Sequence, residues 1–337
     1  MALTIESTRE STLRNMPIRL RRNRRNPAIR AMIRETELNA ADLVAPFFVI
    51  EGEGKAVPIQ SMPGIKRLSI DFLIHEIDRL HRKGIQSFAL FPSVESEQKS
   101  DEAEEAWNPD GLMQRAIRDI KQRFPTICLI ADVALDPYTI HGHDGIVNEA
   151  REIVNDPSID CLVKMALAQA EAGVDFVAPS DMMDGRVGAI REALDLAGFD
   201  QVGILAYSAK YASSLYNPFR DALQVDLQFG DKKTYQMDPA NVREALLEAE
   251  LDEKEGADIL MIKPALFYLD VIAKLRQKTN RPIAAYHVSG EYAMVMAADA
   301  AGYLDAKKVF FEALMSIKRA GADLIFTYAY DAVIDRL

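Results

Sequence analysis

The stretch Glu255-Gly256-Ala257-Asp258-Ile259-Leu260-Met261-Ile262-Lys263-Pro264 joins a helix end, a turn, an apolar strand and an ionisable strand end. A glycine after a helical run takes up the left-handed conformation that closes a helix. The apolar residues that follow do not alternate with polar ones, the pattern of a parallel strand buried on both faces. The same joint recurs at Lys83-Gly84-Ile85-Gln86-Ser87-Phe88, Ala172-Gly173-Val174-Asp175-Phe176-Val177 and Ala320-Gly321-Ala322-Asp323-Leu324-Ile325. Working outward, short apolar runs lie at 43–50, 87–91, 127–133, 175–178, 202–207, 258–262, 282–288 and 323–328. Apolar spacing of three and four marks helices at 70–83, 111–124, 158–172, 185–197, 239–255, 268–279 and 306–320. Eight strands alternating with helices predict a closed (β/α)8 TIM barrel. A doubly wound open sheet is the alternative; the phosphate-loop patterns GxGxxG and GxxxxGK are absent from the sequence.

At 337 residues the chain suits one such barrel with additions. Its composition, 49% hydrophobic and 27% charged, is that of a globular protein. No apolar run reaches the roughly 18 residues of a membrane span, and no apolar leader opens the chain. A cytoplasmic protein with no membrane partner is expected. Cys128 and Cys161 are too few for a disulfide framework and read as buried free thiols. The net charge of −11 splits into +6 over residues 1–35 and −17 over the rest. The run Arg19-Leu20-Arg21-Arg22-Asn23-Arg24-Arg25 has no interleaved aromatics and belongs to an acidic body. It reads as an arm laid on a neighbouring acidic subunit, not as a nucleic-acid site. Residues 1–35 are therefore expected to form an N-terminal arm for oligomer contacts, and 36–337 the barrel. The long segment 208–237 after strand five reads as an active-site lid.

Barrel enzymes carry their chemistry at the C-terminal ends of the strands. Those ends hold Asp132 and Asp136, then Ser180, Asp181 and Asp184, then Lys210, Lys263, His287 with Ser289, and Tyr328 with Tyr330. Lys263 follows an apolar strand directly. Desolvation lowers the pKa of a lysine in such a place, and a second ammonium lowers it further. The resulting free amine attacks a ketone to give an imine. Lys210, one strand away, is the second ammonium or a second nucleophile; pairing of each lysine with a carboxylate, Asp181 or Asp132 for example, is the alternative. Arg220, Lys232 and Lys233 in the lid suit a carboxylate-bearing substrate, and Ser289 and Tyr328 suit another. The segment 132–144, with Asp132, Asp136, His141, His143 and Asp144, offers oxygen and imidazole ligands without a thiolate, better suited to Mg2+ than to structural zinc.

Six motifs taken in order give a sharper reading. They are Asp132-Val-Ala-Leu-Asp-Pro-Tyr-Thr-Ile-His-Gly-His-Asp-Gly145, Val177-Ala-Pro-Ser-Asp-Met-Met-Asp-Gly-Arg186, Tyr207-Ser-Ala-Lys-Tyr-Ala212, Asn217-Pro-Phe-Arg-Asp-Ala222, Met261-Ile-Lys-Pro264 and Tyr286-His-Val-Ser-Gly-Glu-Tyr292. From about Pro17 to its end the chain resembles the porphobilinogen synthase (5-aminolevulinate dehydratase) family. The resemblance implies a lyase of tetrapyrrole (haem) synthesis that condenses two 5-aminolevulinate molecules into porphobilinogen. It implies that Lys263 forms the Schiff base with the substrate supplying the propionate side, and that Lys210 engages the second substrate. It places Ser289 and Tyr328 on the first substrate's carboxylate, Phe219, Arg220, Lys232 and Gln236 at the second substrate under the lid, and Asp132 and Ser180 in the second pocket. Zinc-dependent members have three cysteines where this chain has Ala134, Asp136 and Asp144, so the resemblance implies no catalytic zinc. Asp136 and Asp144 remain a possible cation site. Glu248 matches a glutamate that binds an activating Mg2+ away from the chemistry; from the sequence alone it is an exposed helical carboxylate. No organic cofactor is implied, and the family's assembly is a homo-octamer held by its arms. The other lysine-imine barrel, a class I aldolase, needs one lysine and phosphate contacts at strands seven and eight.

Overall fold

The computed structural model describes residues 17–337. Contacts divide the chain into two units, Met1–Glu37 and Leu38–Leu337. In the first, a 3-10 turn over Leu20–Arg24 precedes the short helix Pro27–Met32, whose Ile29 N–H donates to the Asn26 side chain at 2.9 Å. Residues 1–16, nearly half of the expected arm, lie outside the described residues.

The second unit is the barrel. Its strands are β1 (Leu43–Val49), β2 (Ser87–Pro92), β3 (Cys128–Val133), β4 (Phe176–Pro179), β5 (Gly203–Lys210), β6 (Ile259–Lys263), β7 (Ile283–His287) and β8 (Leu324–Thr327). Each pairs in parallel with the next, and β8 returns to β1 through Leu43↔Ile325 and Val44↔Phe326. Closure leaves no free edge among these strands and excludes the open sheet. Around them run α1 (Ile70–Arg82), α2 (Leu112–Arg123), α3 (Asn155–Glu171), α4 (Arg186–Leu196), α5 (Arg243–Glu255), α6 (Leu269–Arg276), α7 (Ser289–Ala300) and α8 (Ala306–Ala320). Apolar stripes face inward, Leu73, Ile77 and Leu80 on α1 and Phe310, Leu314 and Ile317 on α8.

The repeated joint has a physical cause. Gly256 and Gly321 adopt φ of 108° and 121°, which a side chain rarely tolerates. At Gly321 an added Cβ would also lie 2.9 Å from the Arg276 Cβ. The aspartate two residues on then brackets the neighbouring strand. Asp175 accepts from Leu129 N–H at 2.7 Å, Asp258 from Ile204 N–H at 2.9 Å, and Asp323 from Ile283 N–H at 2.7 Å. Gly-x-Asp is thus a register clamp between a strand and its predecessor, satisfying an N–H that would otherwise go unpaired.

Three features depart from the sequence reading. The pair Ala56–Pro58 and Lys66–Leu68 forms a hairpin that extends the sheet beside β1. Helix α7 begins directly at Ser289, in a stretch read only as a strand end. Strand β5 runs on to Lys210, so residues 208–210 belong to the strand and not to the lid.

Candidate active site

Strand geometry brings the two lysines together. Lys210 and Lys263 are the last residues of β5 and β6, and they are direct partners in the parallel register. Adjacent strands lie about 4.8 Å apart, and residues in register point to the same side. Both side chains are buried, at 5% and 4% exposure.

Their surroundings differ. The Lys263 ammonium lies over four rings, with centroids at 5.1 Å (Tyr207), 5.0 Å (Tyr216), 4.9 Å (Phe219) and 4.8 Å (Tyr286). It forms no ion pair among the described residues. Ring faces favour an ammonium, but burial strips the charge of its water and Lys210 adds a second positive charge beside it. Burial and the neighbouring Lys210 therefore prevail, and the Lys263 amine is pushed down to about 7. Lys210 instead donates to the Ser180 carbonyl and has Asp144 at 3.8 Å. The alternative that each lysine pairs with a carboxylate holds for Lys210, whose partner is Asp144 and not Asp132 or Asp181, and fails for Lys263, which has no ion pair among the described residues. Asp181 lies 3.8 Å from Arg186, which itself grips Asp252 at 2.9 Å. Asp132, on the second-to-last position of β3, is pushed up to about 7 by burial, with Lys210 pulling it back. One of its oxygens has no hydrogen-bond partner, leaving a free acceptor inside the mouth.

The segment 132–144 meets the lid. The Lys232 ammonium sits between Asp136 at 3.0 Å and Asp144 at 3.2 Å, all three buried. Burial works against the charge on Asp144, yet Lys210 and Lys232 hold it at about 2. A cation bound between Asp136 and Asp144 would therefore have to displace an ammonium the chain already supplies. His143, read as a possible ligand, spends both ring nitrogens on the lid, at 3.1 Å from the Tyr235 hydroxyl and 3.0 Å from the Phe229 carbonyl. The lid is zipped at its base: Met237 N–H donates to Lys210 O at 3.0 Å, and Ala212 N–H to Met237 O at 2.8 Å. Its helix, Asn217–Leu223, carries Phe219, wedged against Phe48 and Phe91, and Arg220, half-buried and without an ion pair or hydrogen bond of its side chain among the described residues. Gln236 is buried, its N–H on the Lys232 carbonyl at 2.8 Å.

On the opposite side, Ser289 opens α7 and donates to the Leu215 carbonyl at 3.3 Å. The Tyr328 ring stacks on Phe48, and its hydroxyl lies 2.8 Å from that of Tyr286. His287 faces away from the mouth, edge-on to Phe310, with its pKa lowered to about 4 by burial. Tyr330 packs against Phe47. Sequence reasoning passed over Tyr207, Tyr216 and Tyr286; for Tyr207 and Tyr286 their place close to strand ends was the available signal.

Glu248 is half-buried, not exposed. Burial raises its pKa, Arg186 lowers it, and Asp252, Asp184 and Glu244 add to the rise. It borders a cavity of about 300 Å³ together with Asp184, Glu244 and the lid residues Lys233 and Gln236. Neither cysteine is near the mouth as a ligand set: Cys128 starts β3 at its far end and Cys161 lies within α3. Among the described residues no three His, Cys, Asp or Glu side chains converge as a metal-binding group.

Two buried lysines in register at the mouth of a parallel barrel, one of them poised as a free amine, define a Schiff-base-forming enzyme of the TIM-barrel class. Within that class the chain belongs to the delta-aminolevulinic acid dehydratase family, whose model matches residues 17–335. It is similar to the chloroplastic delta-aminolevulinic acid dehydratase of Physcomitrium patens, 58% identical over 314 residues, covering 93% of this chain and 72% of that one. The Chlamydia pneumoniae delta-aminolevulinic acid dehydratase is 51% identical over 319 residues, covering 95% and 96%. A crystal structure of the Toxoplasma gondii ME49 enzyme in complex with its product porphobilinogen superposes with a TM-score of 0.94 at 53% identity, covering 96% of this chain and 92% of that one.

Proposed function

We propose that this protein is the hydro-lyase of its family and condenses two 5-aminolevulinate molecules into porphobilinogen in tetrapyrrole synthesis. The observation that carries the reading is the register pair Lys210–Lys263 with opposite surroundings. Lys263, as a neutral amine, attacks the ketone of the first substrate; water leaves and an imine forms. Ser289 and Tyr328 hold that substrate's carboxylate. Lys210 engages the second ketone, with Asp132 and Ser180 beside it and Phe219, Arg220, Lys232 and Gln236 above. To take a substrate carboxylate, Lys232 turns from the Asp136–Asp144 pair as the lid closes. Imine formation makes the adjacent carbon acidic, and one C–C and one C–N bond join the substrates; two waters leave in all, one per ketone oxygen, any lysine bound as an imine is released as its amine, and a last proton loss aromatises the ring. The aldolase reading requires one such lysine and leaves the second unexplained.

Mg2+ is the metal we assign, as an activator. It keeps most of its waters and needs one or two carboxylates, which Glu248, with Asp184 and Glu244 around one cavity, supplies. It would add positive charge beside the lid, away from the lysines. Against catalytic zinc stand the residues at the family's cysteine positions, Ala134, Asp136 and Asp144, of which the two aspartates already hold the Lys232 ammonium. A cytoplasmic homo-octamer joined through residues 1–35 completes the proposal.

The test is a pyrrole-specific colour assay with 5-aminolevulinate, run with EDTA, Mg2+ or Zn2+, on the native chain and on Lys263→Ala. Turnover is expected from the native chain without a zinc requirement, and a loss of at least about a thousandfold in the variant. Absence of pyrrole from the native chain under every condition would overturn the reading.

A further inference from the structure

Glu291 is fully buried, carries no part of the chemistry above, and has no cationic partner among the described residues. One carboxylate oxygen accepts from Val288 N–H and the other from Leu266 N–H, both at 2.7 Å. The Val288 bond is an ordinary helix cap at the start of α7. The Leu266 bond is not: it reaches across 25 residues to the turn that leaves Lys263. A helix cap needs only the first.

The residues between these anchors bind the same knot from other sides. Ser289 donates to the Leu215 carbonyl, and Gly290 is pressed so close to Leu215 that an added Cβ would lie 2.5 Å from its oxygen. One residue on, the Tyr216 hydroxyl donates to the Lys263 carbonyl at 3.1 Å, where Tyr211 N–H also arrives at 2.9 Å. The Glu291 carboxylate thus ties the helix start bearing a carboxylate contact to the turn that leaves the nucleophile's strand end, and Tyr211, Leu215 and Tyr216 pack on both through contacts of their own. We infer that Glu291 is a positioning residue that sets the spacing between the Lys263 amine and the Ser289 carboxylate contact. A ketone acid must present its carbonyl to one while its carboxylate rests on the other, so that spacing is read as substrate length. A shift of a few tenths of an ångström between them would cost imine formation more than stability.

The inference rests on the proposed reaction, and the experiment separates the two. Levulinate, the substrate without its amine, can form the Lys263 imine but cannot yield a pyrrole. Borohydride reduction followed by peptide mass spectrometry then measures trapping at Lys263 alone. In Glu291→Gln, one N–H faces an amide nitrogen instead of an oxygen. In Glu291→Asp, the shorter side chain keeps the Val288 cap and falls short of Leu266. Both variants of the full chain are expected to need about tenfold more levulinate for half-maximal trapping. Thermal midpoints should stay close to the native one in Glu291→Asp, which decides the matter if Glu291→Gln does not fold. Trapping by Glu291→Asp within twofold of native would overturn the inference and leave Glu291 a helix cap. Failure of the native chain to make pyrrole would overturn the proposed reaction, while the trapping comparison still reads the role of Glu291.

Discussion

Lys263 acts through what surrounds it. A lysine ordinarily titrates near 10.4; here burial and Lys210 bring it to about 7. The sign follows directly: the nucleophile is the neutral amine, so protonation removes it as pH falls. The kcat/KM for 5-aminolevulinate should be flat above about 7 and fall about tenfold per pH unit below it. A profile still flat at pH 6 would contradict the assignment. The position of this lysine was legible in the sequence, because an ionisable residue directly after four apolar ones marks a strand end. The four rings that enclose it were not. They come from β5, β7 and the lid, and only barrel closure brings those segments to one point. For the same reason Lys232 read as a lid cation for substrate, while its partners Asp136 and Asp144 lie far away in sequence and show only in three dimensions.

Between elements, the buried Arg186–Asp252 pair ties α4 to α5, with both side chains 2% exposed. Removing one partner strands the other charge in a dry interior. Asp252→Ala should lower unfolding free energy by about 3 kcal/mol, the low end of that range because Asp181 remains nearby; an unchanged urea midpoint would count against it. Glu248 lies four residues before Asp252 on the same helix and faces the lid cavity. Glu248→Ala should retain basal turnover and lose most of the Mg2+ stimulation, and an unaltered Mg2+ titration would refute that role. Element identity was well marked in the sequence, because the Gly-x-Asp joints encode both the end of a helix and the clamp of the strand that follows to its predecessor. What escaped were α7, whose start is masked by functional residues, and the hairpin beside β1, whose three-residue strands are too short to show a period.

For the whole molecule, the split between a basic N-terminal segment and an acidic remainder is a property of composition, and it predicts assembly. Deleting residues 1–35 should convert the proposed homo-octamer to smaller species by light scattering; an unchanged mass would overturn that reading. Closure of the barrel has a further consequence. Two chemically identical molecules enter one mouth, yet the product has two unlike halves. An amine held among rings and a lysine held among carboxylates cannot treat those molecules alike. On the proposed roles, the free amine captures the first arrival, and the second is left to the carboxylate-lined side. The barrel therefore converts order of arrival into molecular asymmetry: one isotopically labelled equivalent, followed by excess unlabelled substrate, should leave its label in the propionate half of the pyrrole.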